Sequence, residues 1–347
     1  MRALPLALLA ALAPLAAAPR PAAAAPCISI ASAEGDRLGF RNACGECKVK
    51  VRNGEFSQGM VLDMALSATE RAAGFGLMCM AKPLSDELVI EWGEADAKPK
   101  LFPPREHMPF VVVDKIARTP RIVEVVLRPL GEPMRYWPGQ YVMIGDENGT
   151  VPARSYSLAA APRPDGEIAV QVTRVEGGIT SRWVHDRLAA GDVVNVSGAY
   201  GTFVGDPSVE TPVLCLAAGS GLAPILALAD AALRRGFALP VTLLFSAPRG
   251  EDVYDEGLLR YWERRYRNFR FAATFTREHA GDLFGRIPDV LPALFGDLSG
   301  HSVFVAGSPA FVAACVAKAK ALGAKELLIH TEGYYSQREL ASVGAPV

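Results

Sequence analysis

The run Ala218-Gly219-Ser220-Gly221-Leu222-Ala223-Pro224 constrains this chain more than any other stretch. It follows an apolar strand pattern, Thr211 to Leu216, and precedes an Ala/Leu helix pattern, so its glycines stand where a strand turns into a helix. Such a turn brings backbone N–H groups and the positive end of a helix close to a phosphate. Upstream, Arg154-Ser155-Tyr156-Ser157 offers a fixed cation, an aromatic plate and a hydroxyl in one short run. Read as a strand, period-two alternation sets Arg154 and Tyr156 on one side and Ser155 and Ser157 on the other.

The surrounding pattern divides the chain. Residues 107–205 alternate short strands (Pro109 to Val113, Ile122 to Leu127, Gln140 to Ile144, Ile168 to Val172, Val193 to Val196) with Gly and Pro punctuation, which predicts a small antiparallel barrel. Residues 206–337 alternate apolar strands (Val213 to Ala217, Val241 to Phe245, Phe269 to Phe275, Ser302 to Val305, Leu327 to His330) with helical stretches, which predicts a parallel sheet covered by helices. Residues 93–106, with Pro99, Pro103 and Pro104 among charges, read as a linker, and residues 27–92 hold a cysteine cluster. A chain of 347 residues has room for two or three domains. Its net charge of −1 gives no electrostatic case for nucleic acid or an anionic membrane surface. No stretch after residue 25 is long and apolar enough to span a bilayer. A flavin at the Arg-Ser-Tyr-Ser run and a dinucleotide at the glycine run would make a hydride-handling enzyme.

On these motifs the chain resembles the ferredoxin–NADP reductase superfamily, and within it the NADH-dependent oxygenase reductases with a fused plant-type ferredoxin domain. The resemblance implies that Arg154 pairs with the FAD pyrophosphate, Tyr156 packs on the isoalloxazine and Ser157 donates toward flavin N5, with Ser155 beside them; Ser157 and Tyr156 are the implied catalytic pair. These residue types suit those tasks, since a guanidinium forks onto two phosphate oxygens and an aromatic face covers a flat heterocycle. Glu176-Gly177-Gly178-Ile179-Thr180-Ser181 matches the second flavin motif: Gly177 and Gly178 permit backbone approach, and Thr180 and Ser181 are expected to cap the following helix while facing the pyrophosphate. Val172, just upstream, is counted with the same site. Trp137-Pro138-Gly139-Gln140-Tyr141 and Gly198-Ala199-Tyr200-Gly201-Thr202-Phe203 complete the barrel in the family's order.

For the nucleotide half the resemblance assigns Gly219, Ser220, Gly221 and Pro224 to the first loop. It assigns Gly307 and Ser308, within Ala306-Gly307-Ser308-Pro309, to the place of a Cys-Gly-Pro-Pro motif whose cysteine this chain lacks. Glu332, within Glu332-Gly333-Tyr334-Tyr335, matches the terminal acid near the flavin; for the two tyrosines a packing role is an equal reading. After the second strand, Glu251 and Asp252 would repel a 2′-phosphate while Arg249 and Arg277 could attract one, and NADH is favoured over NADPH.

Six cysteines occur, and three group as Cys44, Cys47 and Cys79. Plant-type ferredoxins hold a [2Fe–2S] cluster with Cys-x4-Cys-x2-Cys and a distant fourth Cys. Cys44 and Cys47 match the middle pair and Cys79 the last ligand, but Gly39 stands at the first position. The front is therefore expected to be a truncated β-grasp ferredoxin-like domain. Cys215 and Cys315 sit in apolar contexts and are expected to be buried filler, and His185 is expected to be structural. Residues 1–26 have the outline of a signal peptide; a mis-called start is the favoured alternative, because the implied cofactors are cytoplasmic.

The implied activity moves hydride from NADH to FAD and then single electrons, through a [2Fe–2S] centre, to a partner oxygenase or related acceptor. The alternatives are a cluster-less, diaphorase-type flavin reductase and, from another class, an exported binding module with a decayed fold. The oligomeric state is left open.

Overall fold

Alternating buried and exposed residues turn the middle of the chain into strands whose inner faces share one core. The computed structural model describes residues 27–31, 48–58, 66, 68–77, 81–85, 87–91, 101–102, 104–205, 209–279 and 282–334.

The front region holds β1 (Cys27–Ala31), β2 (Lys48–Asn53), β3 (Phe56–Ser57), α1 (Ala68–Ala72), β4 (Phe75–Leu77), β5 (Lys82–Pro83) and β6 (Glu87–Glu91). Four of the strands form an antiparallel sheet in the order β1-β6-β2-β4, and β3 pairs with β5. Its apolar cluster is small, built on Val49, Leu88 and Ile90. Cys44, Cys47 and Cys79 lie outside the described residues.

The barrel comprises β7 (Arg105–Thr119), β8 (Ile122–Pro129), β9 (Tyr141–Asp146), β10 (Arg154–Ser157), β11 (Ile168–Thr173), α2 (Ile179–Asp186) and β12 (Val193–Tyr200). Strand order β10-β9-β12-β7-β8-β11 is nearly closed by the single bridge Leu158 to Val170. Phe110, Leu127, Val142, Ile144, Val170 and Val194 fill the interior, and Val184 and Leu188 of the α2 region plug it. Each such fully buried aliphatic or aromatic side chain contributes roughly 1.5–3 kcal/mol. Strand β7 starts at Arg105, inside the stretch read as linker, because Arg105 pairs opposite Gly198 across a bulge in β7 at His107, which takes φ +54°. Lys115 holds the end of α2: its Nζ donates to the carbonyls of Val184, His185 and Leu188 at 3.2, 3.0 and 2.6 Å. A cation there satisfies carbonyls the helix leaves open and opposes the negative end of the dipole.

The third unit comprises β13 (Val213–Ala218), α3 (Leu222–Arg234), β14 (Val241–Ala247), α4 (Glu256–Arg265), β15 (Phe269–Phe275), β16 (Leu283–Phe284), α5 (Ile287–Leu294), β17 (Ser302–Gly307), α6 (Pro309–Ala321) and β18 (Ile329–Gly333). The sheet is parallel, in the order β16-β15-β14-β13-β17-β18. All six residues of β17 are buried, as expected of a strand covered on both faces. The last strand begins at Ile329 rather than Leu327, because Glu326–Leu328 wind into a 3-10 turn first. Chain order reverses between β13 and β17, and ligands of such sheets sit outside the carboxyl ends at that switch point. Barrel residues Ile122 and Phe203 share a core with the parallel-sheet unit, where Phe203 meets Phe304 edge-on at 5.6 Å. No helix among the described residues is long and apolar enough to cross a membrane.

Candidate active site

Strand β10 pairs Arg154 with Ile144 and Tyr156 with Val142, while Ser155 and Ser157 lie opposite Met143 and Tyr141. Directly paired residues share a face, so Arg154 and Tyr156 stand on one side and the serines on the other. Tyr156 is half-buried against the barrel core, and burial pushes its phenol well above its ordinary pKa. Arg154 donates from Nη1 to the Ala153 carbonyl at 2.8 Å, and among the described residues no carboxylate pairs with it. Close by is the start of α2, whose N-cap is Gly178 with no side-chain cap. Gly177, in a left-handed conformation at φ +73°, turns the chain into it.

Two expectations need correction here. Thr180 and Ser181 do not cap α2, because the helix begins at Ile179 and includes both. Thr180 Oγ1 donates instead to the Pro152 carbonyl at 2.6 Å, tying α2 to the loop before Arg154, and Ser181 Oγ accepts the Val175 N–H at 3.2 Å. The first-turn N–H groups are thereby left to a ligand or solvent. Val172 turns its side chain into the barrel core, and its carbonyl faces His185 Nε2 at 2.9 Å.

The serine face meets the last strand. Ser157 Oγ donates to Glu332 Oε1 at 2.6 Å, which commits its only proton; Tyr334 OH, 3.0 Å away, therefore donates to Ser157 Oγ. Burial, with the Glu332 charge adding, holds the Tyr334 phenol well above its ordinary pKa, so it stays a donor. The Tyr334 N–H donates to the Gly307 carbonyl at 3.0 Å, so this cluster sits directly beside the Gly307–Ser308 loop.

That loop and the first are closely fitted. A Cβ on Gly221 would lie 2.2 Å from the Ala306 carbonyl oxygen, which no L side chain can survive without moving β17. Gly219 takes φ +57°, and Pro224 sits in the first turn of α3, where its missing N–H costs nothing. A Cβ on Gly307 would meet Phe311 Cδ1 at 2.8 Å. Ser308 caps α6 by accepting the Phe311 N–H at 3.4 Å. Ser220 Oγ accepts from Thr173 Oγ1 of the barrel at 2.9 Å.

Beyond the ends of β14 and β15 lies an open recess of about 320 Å³ lined by Arg249, Glu251, Arg277 and Glu278. Arg249 Nη1 is 3.6 Å from Glu251 Oε1, and the Gly250 N–H donates to Glu278 Oε2 at 2.8 Å. Sequence reasoning passed over Glu278; its acidic side chain next to Arg277 was the available signal. Gln171, Thr173 and Tyr254 were also passed over, although a glutamine inside the apolar β11 is a legible anomaly. Cys215 and Cys315 are buried free thiols pushed up to about 12 by burial. Among the described residues no group of His, Cys, Asp and Glu could hold a metal ion.

Residues 108–204 match the oxidoreductase FAD-binding domain and residues 215–317 the oxidoreductase NAD-binding domain. The chain is 33% identical over 299 residues to the aromatic O-demethylase reductase subunit of an Amycolatopsis species, covering 85% of this chain and 88% of that protein. It is 32% identical over 279 residues to the reductase component DmpP of a Pseudomonas phenol 2-monooxygenase, covering 79% and 78%. The crystal structure of the Amycolatopsis cytochrome P450 reductase GcoB superposes with a TM-score of 0.70 at 32% identity, covering 84% of this chain and 88% of that one. With both halves of the site and both domain matches in place, the chain belongs to the ferredoxin reductase family of FAD- and NAD-binding oxidoreductases.

Proposed function

We propose that the protein is the reductase of an oxygenase system, taking hydride from NADH onto FAD and releasing single electrons to a partner oxygenase. One observation carries this reading. Ser157 of the flavin motif is hydrogen-bonded to Glu332 and Tyr334 of β18, so the flavin side and the nucleotide loops converge on one point. The names of the relatives, reductase subunits and components of demethylase and monooxygenase systems, support the kind of acceptor.

The residues fit the two groups. Arg154, without a carboxylate partner among the described residues, together with the uncapped start of α2, suits the FAD pyrophosphate. The Gly219–Ser220–Gly221 turn, too tight for a Cβ at Gly221, suits the close approach of a dinucleotide, with Pro224, Gly307 and Ser308 shaping its walls. FAD supplies, when bound, the conversion between two-electron and one-electron steps. Ser157 holds a hydroxyl at the meeting point, with its orientation locked by Glu332. Tyr334 excludes water there. Glu251 and Glu278 put two carboxylates at the recess beside Arg249 and Arg277, with Asp252 in the adjoining turn, which favours a ribose hydroxyl over a 2′-phosphate and hence NADH over NADPH. That dependence on NADH in turn favours a cytoplasmic location.

A [2Fe–2S] cluster would take four thiolates. The chain offers Cys44, Cys47 and Cys79 with Gly39 at the remaining place, so the family's donor set is incomplete. That incomplete set is what favours the second reading, a cluster-less flavin reductase. An assay of NADH-dependent reduction of an obligate one-electron acceptor tests the electron-splitting step. The expected result is turnover with cytochrome c or ferricyanide that requires bound FAD; FAD-loaded protein that reduces only two-electron acceptors would contradict it.

A further inference from the structure

A polar cluster outside that meeting point joins the barrel to the nucleotide unit around one strand, β11. The Tyr254 hydroxyl lies 2.9 Å from both Gln171 Oε1 and the Gly219 carbonyl. A phenol has a single proton, so the two acceptors share it, and burial keeps that proton on. Gln171 Nε2 donates to Asp255 Oδ2 at 3.1 Å and Glu124 Oε2 at 3.3 Å. Arg118 bridges the same carboxylates, at 2.8 Å from Glu124 and 3.2 Å from Asp255. Asp255 itself is left-handed at φ +55°, a conformation these partners hold in place.

Two features make the cluster more than interdomain glue. Its contacts fall on the nucleotide loop itself: Gly219 O, which takes the Tyr254 hydroxyl, also accepts the Leu222 N–H that opens α3. Its barrel end is β11, the strand that runs on through Thr173 into Gly177 and Gly178, and Thr173 holds Ser220 directly. One strand therefore borders both phosphate-binding turns.

We propose that Gln171 and Tyr254 form a clasp that sets the Gly219–Ser220–Gly221 turn against the barrel and so fixes how the nicotinamide approaches the flavin. They are positioning residues, and the proposal rests on the reading of that turn as the dinucleotide loop.

The test is Tyr254→Phe in the full chain, which keeps the ring edge-on to Phe245. Hydrogen exchange at Leu222 and its neighbours should quicken about fivefold, the factor one lost hydrogen bond of ordinary net strength allows. Flavin reduction at saturating NADH should slow by a similar factor, while FAD affinity holds and NADH affinity moves less. Gln171→Met should slow the saturating rate in the same way by freeing the barrel end. The double variant should be no slower than the slower single, because both remove one clasp. Parental saturating rates in both single variants, or fully additive losses in the double, would overturn the proposal. A parent that NADH cannot reduce would instead sink the functional reading, while the exchange experiment on the chain without nucleotide would still report whether Tyr254 holds the loop.

Discussion

At the scale of single residues, Arg154 is a cation that donates to its neighbour's carbonyl and pairs with no carboxylate among the described residues, on a strand whose Tyr156 is half-buried and Ser157 buried. Its charge is compensated when a pyrophosphate arrives, so Arg154→Ala should weaken FAD binding by ~1.5–3 kcal/mol, the range for a charge-assisted contact. Flavin fluorescence titration would measure this, and unchanged affinity would remove Arg154 from the site. On the proposed reading Glu251 and Asp252 repel a 2′-phosphate, so changing both to their amides should narrow the preference for NADH over NADPH, read as the ratio of flavin-reduction efficiencies. Residue types were legible from the sequence, because a cation, an aromatic and a hydroxyl in one strand suit few other purposes. Their partners were not. Ser157 and Glu332 are 175 positions apart, and only the folded sheet brings them to 2.6 Å.

At the scale of elements, the glycine turn and the helix ends carry the argument. Gly221→Ala would drive a methyl to 2.2 Å from the Ala306 carbonyl, a clash with backbone rather than a movable side chain. The variant should lose about 2 kcal/mol or more of stability through overpacking and strain. It should also lose nucleotide binding, checked by denaturant unfolding and NADH titration. Lys115→Met would strip three carbonyls at the end of α2 of their cation, for about 1–2 kcal/mol of the same unfolding free energy. The strand pattern predicted most of the barrel and parallel-sheet elements, because period-two alternation and buried apolar runs are local signals. The capping roles of Thr180 and Ser181 were misread because they depend on where α2 begins, and the Gly178 turn starts the helix two residues earlier than capping by Thr180 would need and three earlier than capping by Ser181 would. The direction of the Val172 side chain was hidden for a related reason: it follows from register, which the pairing with β8 sets.

At the scale of the whole molecule, two domains share a core and a polar clasp, and the front region adds four cysteines, three of them (Cys44, Cys47 and Cys79) at ferredoxin-like spacing. With three thiolates in place of four, iron per flavin should fall well below two, as measured by iron and acid-labile sulfide against flavin absorbance. Two irons per flavin with a [2Fe–2S] EPR signal would show that another residue completes the set. The switch point between β13 and β17 was foreseeable from alternating strands and helices, whereas the docking of barrel on sheet was not, since no local pattern pairs Ile122 or Phe203 with the parallel-sheet core that they join. On the proposed reading hydride passes from NADH to FAD where Ser157 meets Glu332. Anaerobic stopped-flow mixing of the FAD-loaded protein with NADH or NADPH tests it most directly. The account predicts rapid bleaching of the flavin by NADH, slower bleaching by NADPH, and a marked loss of rate in Ser157→Ala with FAD still bound. A flavin that stays oxidised with either nucleotide, or an unaltered rate in Ser157→Ala, would contradict it.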